Sequence, residues 1–222
     1  METDNTTKEI GLVFSMHKVG TSTVMQSFRE IGLLPERGFA ENLDYLVPLS
    51  KYKGVVTPVR DPIARNISFF FERFGNDILA IDAKFSVKGL LKHFYESIEH
   101  TYPLTWFQNV YQKTFGIDVY KEKFNKSRGW MIIDERYLLV RTDKMEKALP
   151  DAFESLYGKR PPGMHRGMTV ESRPYGYIYA QFVGKVKFPQ KYVESLYNSR
   201  FMKHFFLKSE IERLTRRWVN GL

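Results

Sequence analysis

Residues 10–32 read IGLVFSMHKVGTSTVMQSFREIG. The apolar run Ile10–Ser15 is short and ends in a turn-rich stretch, which is typical of a buried strand in a parallel sheet. From Thr21 onward, apolar side chains recur at helical spacing, and Gly32 can end the helix. These side chains are Val24, Met25, Phe28 and Ile31. The stretch therefore predicts a strand, a glycine-containing loop and a helix.

A second segment repeats this order. Gly54–Val59 (GVVTPV) predicts another strand, and Pro58 indicates that it ends nearby. Asp61 is a good helix N-cap and Pro62 a good first helical residue. Apolar residues then follow at helical spacing: Ile63, Ile67, Phe70 and Phe74.

The remaining chain predicts helices, one hairpin and irregular segments. Residues 35–52 and 117–129 have mixed patterns, and 158–174 predicts a long, mobile loop. Two strands, Trp130–Ile133 and Tyr137–Val140, flank a predicted turn. Helices are expected at 86–98, at 104–115 after Pro103, and at 143–157, 175–187 and 189–219. Alternating strands and helices predict one α/β domain over 1–222, with a polar arm at 1–8.

Composition narrows the functional classes. The 222 residues are 43% hydrophobic, which excludes a fully disordered chain, and carry a net charge of +9. Such a charge attracts nucleic acid, membrane surfaces, nucleotides or acidic polysaccharide. The absence of cysteine excludes disulfides, thiolate zinc sites and cysteine nucleophiles. The polar N-terminus and the lack of a long apolar run predict a soluble, cytoplasmic protein.

The first loop has the chemistry of a phosphate site. Backbone N–H groups at a helix start bind anions, Lys18 adds a cation, and Thr21–Thr23 add hydroxyl donors. Lys18 precedes Gly20, whereas in nucleotide triphosphatases the lysine directly follows the last glycine of the loop. The order of these two residues disfavours that class.

Both turns together resemble PAPS-dependent sulfotransferases (PAPS is 3′-phosphoadenosine 5′-phosphosulfate). His17–Thr23 (HKVGTST) is similar to their 5′-phosphosulfate loop P-K-x-G-T-T, and Arg60–Ser68 (RDPIARNIS) to their 3′-phosphate motif R-D-P-x-x-R-x-x-S. Three later segments resemble, more loosely, a bacterial branch of capsular polysaccharide synthesis proteins. These segments are Tyr102–Phe107, Phe115–Tyr120 and Tyr197–Phe205.

The resemblance implies a P-loop-type, three-layer α/β fold with a central, mainly parallel sheet flanked by helices. It implies transfer of a sulfuryl group from PAPS to an acceptor, with PAP as product and no metal required. Lys18 would stabilise the leaving phosphate. The expected nucleotide contacts are Lys18, Val19, Gly20, Thr21, Ser22, Thr23, Arg60, Arg65, Ser68 and Arg166. Arg160, Arg166 and Arg173 could instead bind an anionic acceptor.

The general base and the acceptor stay open. His100 is the first candidate and His17, which replaces the family's usual proline, the second. Further candidates are His93, His165, Glu41, Asp44 and Glu72, whereas His204 has the pattern of a structural residue. The family's cytosolic members carry a base histidine between the two motifs, and residues 24–59 contain none.

Several functions remain compatible with the sequence. The acceptor could be a hydroxyl or nitrogen of a small secondary metabolite or a carbohydrate, and neither a nucleic acid nor a membrane is expected as partner. The oligomeric state is open. The alternatives are a P-loop kinase acting on a small molecule and a non-catalytic basic protein that binds polyanions.

Overall fold

Strands from both halves of the chain form one mainly parallel sheet. The computed structural model describes residues 9–39, 48–80, 86–162 and 170–221. Within these ranges, five strands form one sheet in the order β2-β1-β3-β5-β4. They are β1 (Ile10–Phe14), β2 (Leu34–Gly38), β3 (Tyr52–Val59), β4 (Trp130–Ile133) and β5 (Tyr137–Arg141). β2, β1, β3 and β5 run parallel, and β4 is antiparallel to β5. The predicted α/β class with a mainly parallel sheet is confirmed.

By their internal contacts the residues group into two units. The sheet unit comprises Met1–Val59 and Arg128–Gly167, and the helical unit comprises Arg60–Ser127 and Met168–Leu222. Each unit is described by itself below.

Two helices cover the sheet in the sheet unit. α1 (Thr21–Glu30) and α6 (Met145–Tyr157) share one apolar core with the strands. Val13, Val56 and Leu138 occupy paired positions on β1, β3 and β5 and point into this core. Gly11 is required for this packing, because a Cβ there would lie 2.3 Å from the ring of Phe28.

Two strand features differ from the prediction or refine it. β2 falls in the segment 35–52 that the pattern left as mixed, because LPERG is a polar edge strand, with Leu34 47% exposed and no apolar alternation. Pro58 lies inside β3, one residue before the strand ends at Val59, as the proline predicts. It is opposite Val140 of β5 and lies beyond the last β1 pair, Val13 with Val56.

The hairpin and the helices follow the sequence pattern with shifted boundaries. Asp134 and Glu135 adopt φ of 49° and 51°, which makes the predicted turn between β4 and β5. The helical unit contains α2 (Pro62–Ala80), α3 (Val87–Ser97), α4 (Tyr102–Trp106), α5 (Gln112–Phe115), α7 (Gly176–Lys185), α8 (Gln190–Tyr197), α9 (Arg200–Phe205) and α10 (Lys208–Asn220).

The predicted helical segments 104–115 and 189–219 are each divided into several shorter helical elements. A π-helical turn, Phe107–Tyr111, joins α4 to α5, and Pro103 lies in the first turn of α4 instead of ending a helix. The segment 189–219, predicted to be mostly helical, contains the three helices α8, α9 and α10, of which α9 begins after the N-cap Ser199. None of the helices in the described residues combines the length and the apolar character needed to cross a membrane.

Candidate functional site

The loop between β1 and α1 has a strained backbone. Lys18 adopts φ 67°, which costs a residue with a Cβ about 1–2 kcal/mol, and Gly20 adopts φ 94°. Thr142, directly after β5, donates a hydrogen bond from Oγ1 to the carbonyl of Val19 at 2.6 Å. A Cβ on Gly20 would lie 3.2 Å from Sδ of Met145. The loop is therefore held in this shape by the residues that follow β5.

The first turn of α1 offers backbone donors. Gly20 is its N-cap, and glycine has no side chain that could cap the N–H groups of this turn. The first turn contains no acidic residue, and Thr21 is held through a 2.9 Å hydrogen bond between its Oγ1 and Ser15 Oγ. Unpaired N–H groups and the helix dipole attract anions, and a left-handed residue before them widens the concavity. Lys18, Gly20 and the start of α1 thus form an anion-binding arrangement.

His17 is fixed by ring stacking. Its imidazole stacks on Phe39 with centroids 4.2 Å apart and planes 12° from parallel. The guanidinium of Arg37 lies 4.0 Å from the centroid of the Phe39 ring. These contacts orient His17 within the loop, and its role as a base stays a prediction.

The turn after β3 is organised around Asp61. Its Oδ1 accepts hydrogen bonds from the Ile63 N–H at 3.0 Å and from the Tyr197 hydroxyl at 2.8 Å. Its Oδ2 accepts one from Nε1 of Trp218 at 3.2 Å. The pKa of Asp61 is raised above its ordinary value, because the effect of burial outweighs these hydrogen bonds and the charge of Arg60, which act in the opposite direction. Asp61 thus caps α2 as predicted and fixes the backbone from which Arg60 projects.

Arg65 and Ser68 are buried residues of α2. Arg65 is 3% exposed, and its guanidinium lies 4.4 Å from the ring of Phe69 and 5.3 Å from that of Tyr102. Ser68 is 2% exposed. Because both face inward from α2, they are poorly placed for a ligand, whereas Arg60 is half-buried.

His100 has both ring nitrogens in internal hydrogen bonds. Nε2 lies 3.1 Å from the carbonyl of Phe94 and must donate to it, so Nδ1 accepts from the Tyr192 hydroxyl at 2.8 Å. Burial lowers the pKa of His100, which keeps it neutral. Asn66 Nδ2 also donates to the His100 carbonyl. With both ring nitrogens engaged, His100 has the geometry of a packing residue and is poorly placed to act as a general base.

The other predicted site residues are scattered. His93 packs against Phe70 and Phe74, and Glu72 lies 3.9 Å from Arg173. Arg160 contacts Asp151 and Glu154 in the sheet unit. Glu41, Asp44, His165 and Arg166 lie outside the described residues, as does 163–169 of the predicted mobile loop.

Sequence reasoning missed the residues at the end of β5, Arg141 to Asp143. Arg141 is fully buried and binds Asp143 through two hydrogen bonds, Nε–Oδ1 at 3.0 Å and Nη2–Oδ2 at 2.6 Å. Thr142 between them braces the Lys18 loop. The signal that could have found them is Arg-Thr-Asp directly after an apolar strand, at the sheet edge where parallel strands end.

Comparison with known proteins gives one match. No curated protein and no solved structure matches the chain. The sequence pattern of one family, described as "Putative capsular polysaccharide synthesis protein", matches residues 78–207, more than half of the chain. The chain belongs to this family.

Proposed function

We propose that the protein is a sulfotransferase that moves a sulfuryl group from PAPS to an acceptor and releases PAP. The observation that carries this proposal is the loop Lys18–Gly20, whose two left-handed residues lead into the uncapped start of α1. A strained lysine in such a loop is unfavourable for folding alone, which points to a ligand role.

The residues of the chain would act mainly by positioning and charge. The N–H groups from Gly20 to Thr23 would bind the 5′-phosphosulfate, and the Lys18 ammonium would stabilise the charge that develops on the leaving 5′-phosphate. PAPS supplies the sulfuryl group, whose bond to the phosphate oxygen breaks as the acceptor oxygen attacks sulfur. The proton of the acceptor passes to a base that we leave unassigned, because His100 is engaged on both nitrogens.

For the 3′-phosphate we propose fewer contact residues than the sequence motif predicts. Arg60 directly follows β3, which pairs with β1, the strand that leads to Lys18. A planar guanidinium suits a phosphate, and Asp61 holds the adjacent backbone. We therefore propose Arg60 for this contact and leave out Arg65 and Ser68, which are buried.

Family membership favours one acceptor class. A description in terms of capsular polysaccharide synthesis supports a carbohydrate hydroxyl over a small secondary metabolite or a nitrogen acceptor.

A transfer assay tests it. The protein is incubated with PAPS carrying a radiolabelled sulfuryl group and a panel of bacterial capsular polysaccharides and their oligosaccharides. We expect labelled acceptor and stoichiometric PAP. Phosphate transfer from ATP–Mg in the same panel, with no sulfate transfer, would instead identify a kinase.

A further inference from the structure

A basic cleft lies in the helical unit. A cavity of about 730 Å³ is bounded by the irregular segment 121–127, the end of α9 and the residue before α10. The charged and titratable residues of its lining are Lys121, Glu122, Lys123, Lys126, Lys203 and His204. The segment 121–127 has no sheet or long helix of its own, and most of its side chains are exposed.

The cavity is strongly positive. Four lysines line it against one glutamate, Glu122. His204 adds no charge at neutral pH, because burial, helped by the charges of Lys126 and Arg200, lowers its pKa to about 4. A concave surface lined by one sign of charge concentrates ligands of the opposite sign. The cavity is therefore suited to an anion.

A second cavity extends the cleft. It has a volume of about 800 Å³, shares Lys126 and Lys203 with the first, and adds Lys208 and Arg216 on α10. Its two acids, Glu194 and Glu212, offset part of this charge, so that its lining of three lysines, one arginine and two glutamates remains net positive. The shared lysines join both cavities into one basic surface, whose extent fits a chain-like ligand and exceeds the need of a single small anion.

We propose that this cleft binds an acidic polysaccharide, a chain of sugars bearing carboxylates. Nucleic acid is disfavoured, because single-strand binders stack bases on exposed aromatic rings. The aromatic residues in the described lining, Phe124, Tyr197 and Phe206, are 5%, 2% and 2% exposed. The ammonium of lysine is a point charge on a flexible stem, so that lysines can reach carboxylates spaced along a sugar chain without the fixed bidentate geometry of arginine. The proposal goes beyond sulfuryl transfer and does not depend on it.

Calorimetric titration of the full chain with polygalacturonate tests the proposal, with dextran as the uncharged comparison. The cleft variant is Lys121→Gln/Lys123→Gln/Lys203→Gln, at three exposed positions. The matched control is Lys88→Gln/Lys185→Gln/Lys191→Gln, at three exposed lysines of the helical unit that line neither cavity. Both variants lose the same charge, and thermal unfolding checks that both keep the fold.

We expect wild-type protein to bind polygalacturonate and not dextran. The cleft variant should bind roughly 10- to 100-fold more weakly and the control within about 3-fold of wild type. The slope of log K against the logarithm of the salt concentration should decrease in magnitude by roughly two to three in the cleft variant and stay unchanged in the control. Equal weakening in both variants, or no binding by wild type, would overturn the proposal. Tighter binding of single-stranded DNA that requires the same three lysines would also overturn it and identify a nucleic-acid site.

Discussion

The two strand–turn–helix segments of the chain, 10–30 and 52–80, have the same order of elements but opposite chemistry at the start of the helix. The first turn leaves the N–H groups of α1 without a side-chain cap and holds Lys18 in a strained conformation. In the second turn, Asp61 caps α2 and accepts bonds from Tyr197 and Trp218. An uncapped helix start can receive an anion, whereas a capped one can only support a neighbouring side chain, here Arg60.

The largest effect is expected for Lys18→Ala. If the first turn is the catalytic one, sulfuryl transfer should fall roughly 100- to 1,000-fold, because a charge that stabilises the transition state is lost. Transfer assays measure the rate, and circular dichroism checks the fold. Lys51→Ala, at an exposed lysine before β3, is the control and should transfer at the wild-type rate. Wild-type activity of the Lys18 variant would remove this lysine from the mechanism.

Asp61→Ala should show the structural role of the second turn. It removes the cap of α2 and leaves the Tyr197 and Trp218 donors unpaired, so we expect a loss of about 3 kcal/mol in the free energy of unfolding. Urea titration measures this loss. Asp61→Asn retains a capping oxygen and should lose about half as much. Wild-type stability of the alanine variant would show that these hydrogen bonds contribute nothing net.

Lys18→Gly should have opposite effects on stability and on activity. Glycine relieves the left-handed strain at φ 67°, so stability should rise by about 0.5–1 kcal/mol while transfer is lost. The matched control is Glu135→Gly in the hairpin turn, at φ 51°. It should gain similar stability and retain full transfer. A destabilised Lys18→Gly protein would mean that the lysine holds the loop together.

A pH dependence is expected in the helical unit, which contains the capped helix. Burial lowers the pKa of His100 below its ordinary value and that of His204 to about 4. The unfolded chain then binds more protons below pH 6.5, so stability should fall as the pH drops from 7 to 5. His100→Asn and His204→Asn should each flatten this slope in urea titrations. An unchanged slope in both variants would assign the loss to other groups.

The sequence predicts the turns better than the side-chain directions. Helical spacing after Thr21 and the Asp61-Pro62 pair locate α1 and α2, because local signals determine helix starts. The position of Ser68 on the inner face of α2 depends on how the helical unit packs, which spacing within a nine-residue motif does not reveal. His100 likewise became a packing residue through Tyr192, which lies far along the chain.

The most direct measurement is a calorimetric titration of PAP and of adenosine 5′-phosphosulfate, which lacks the 3′-phosphate, into wild type and Arg60→Ala. We expect wild type to bind PAP and to prefer ligands with a 3′-phosphate, and we expect Arg60→Ala to lose this preference but retain the 5′ contacts of the Lys18 loop. Absence of PAP binding to wild type, or tighter binding of ATP–Mg, would contradict the account.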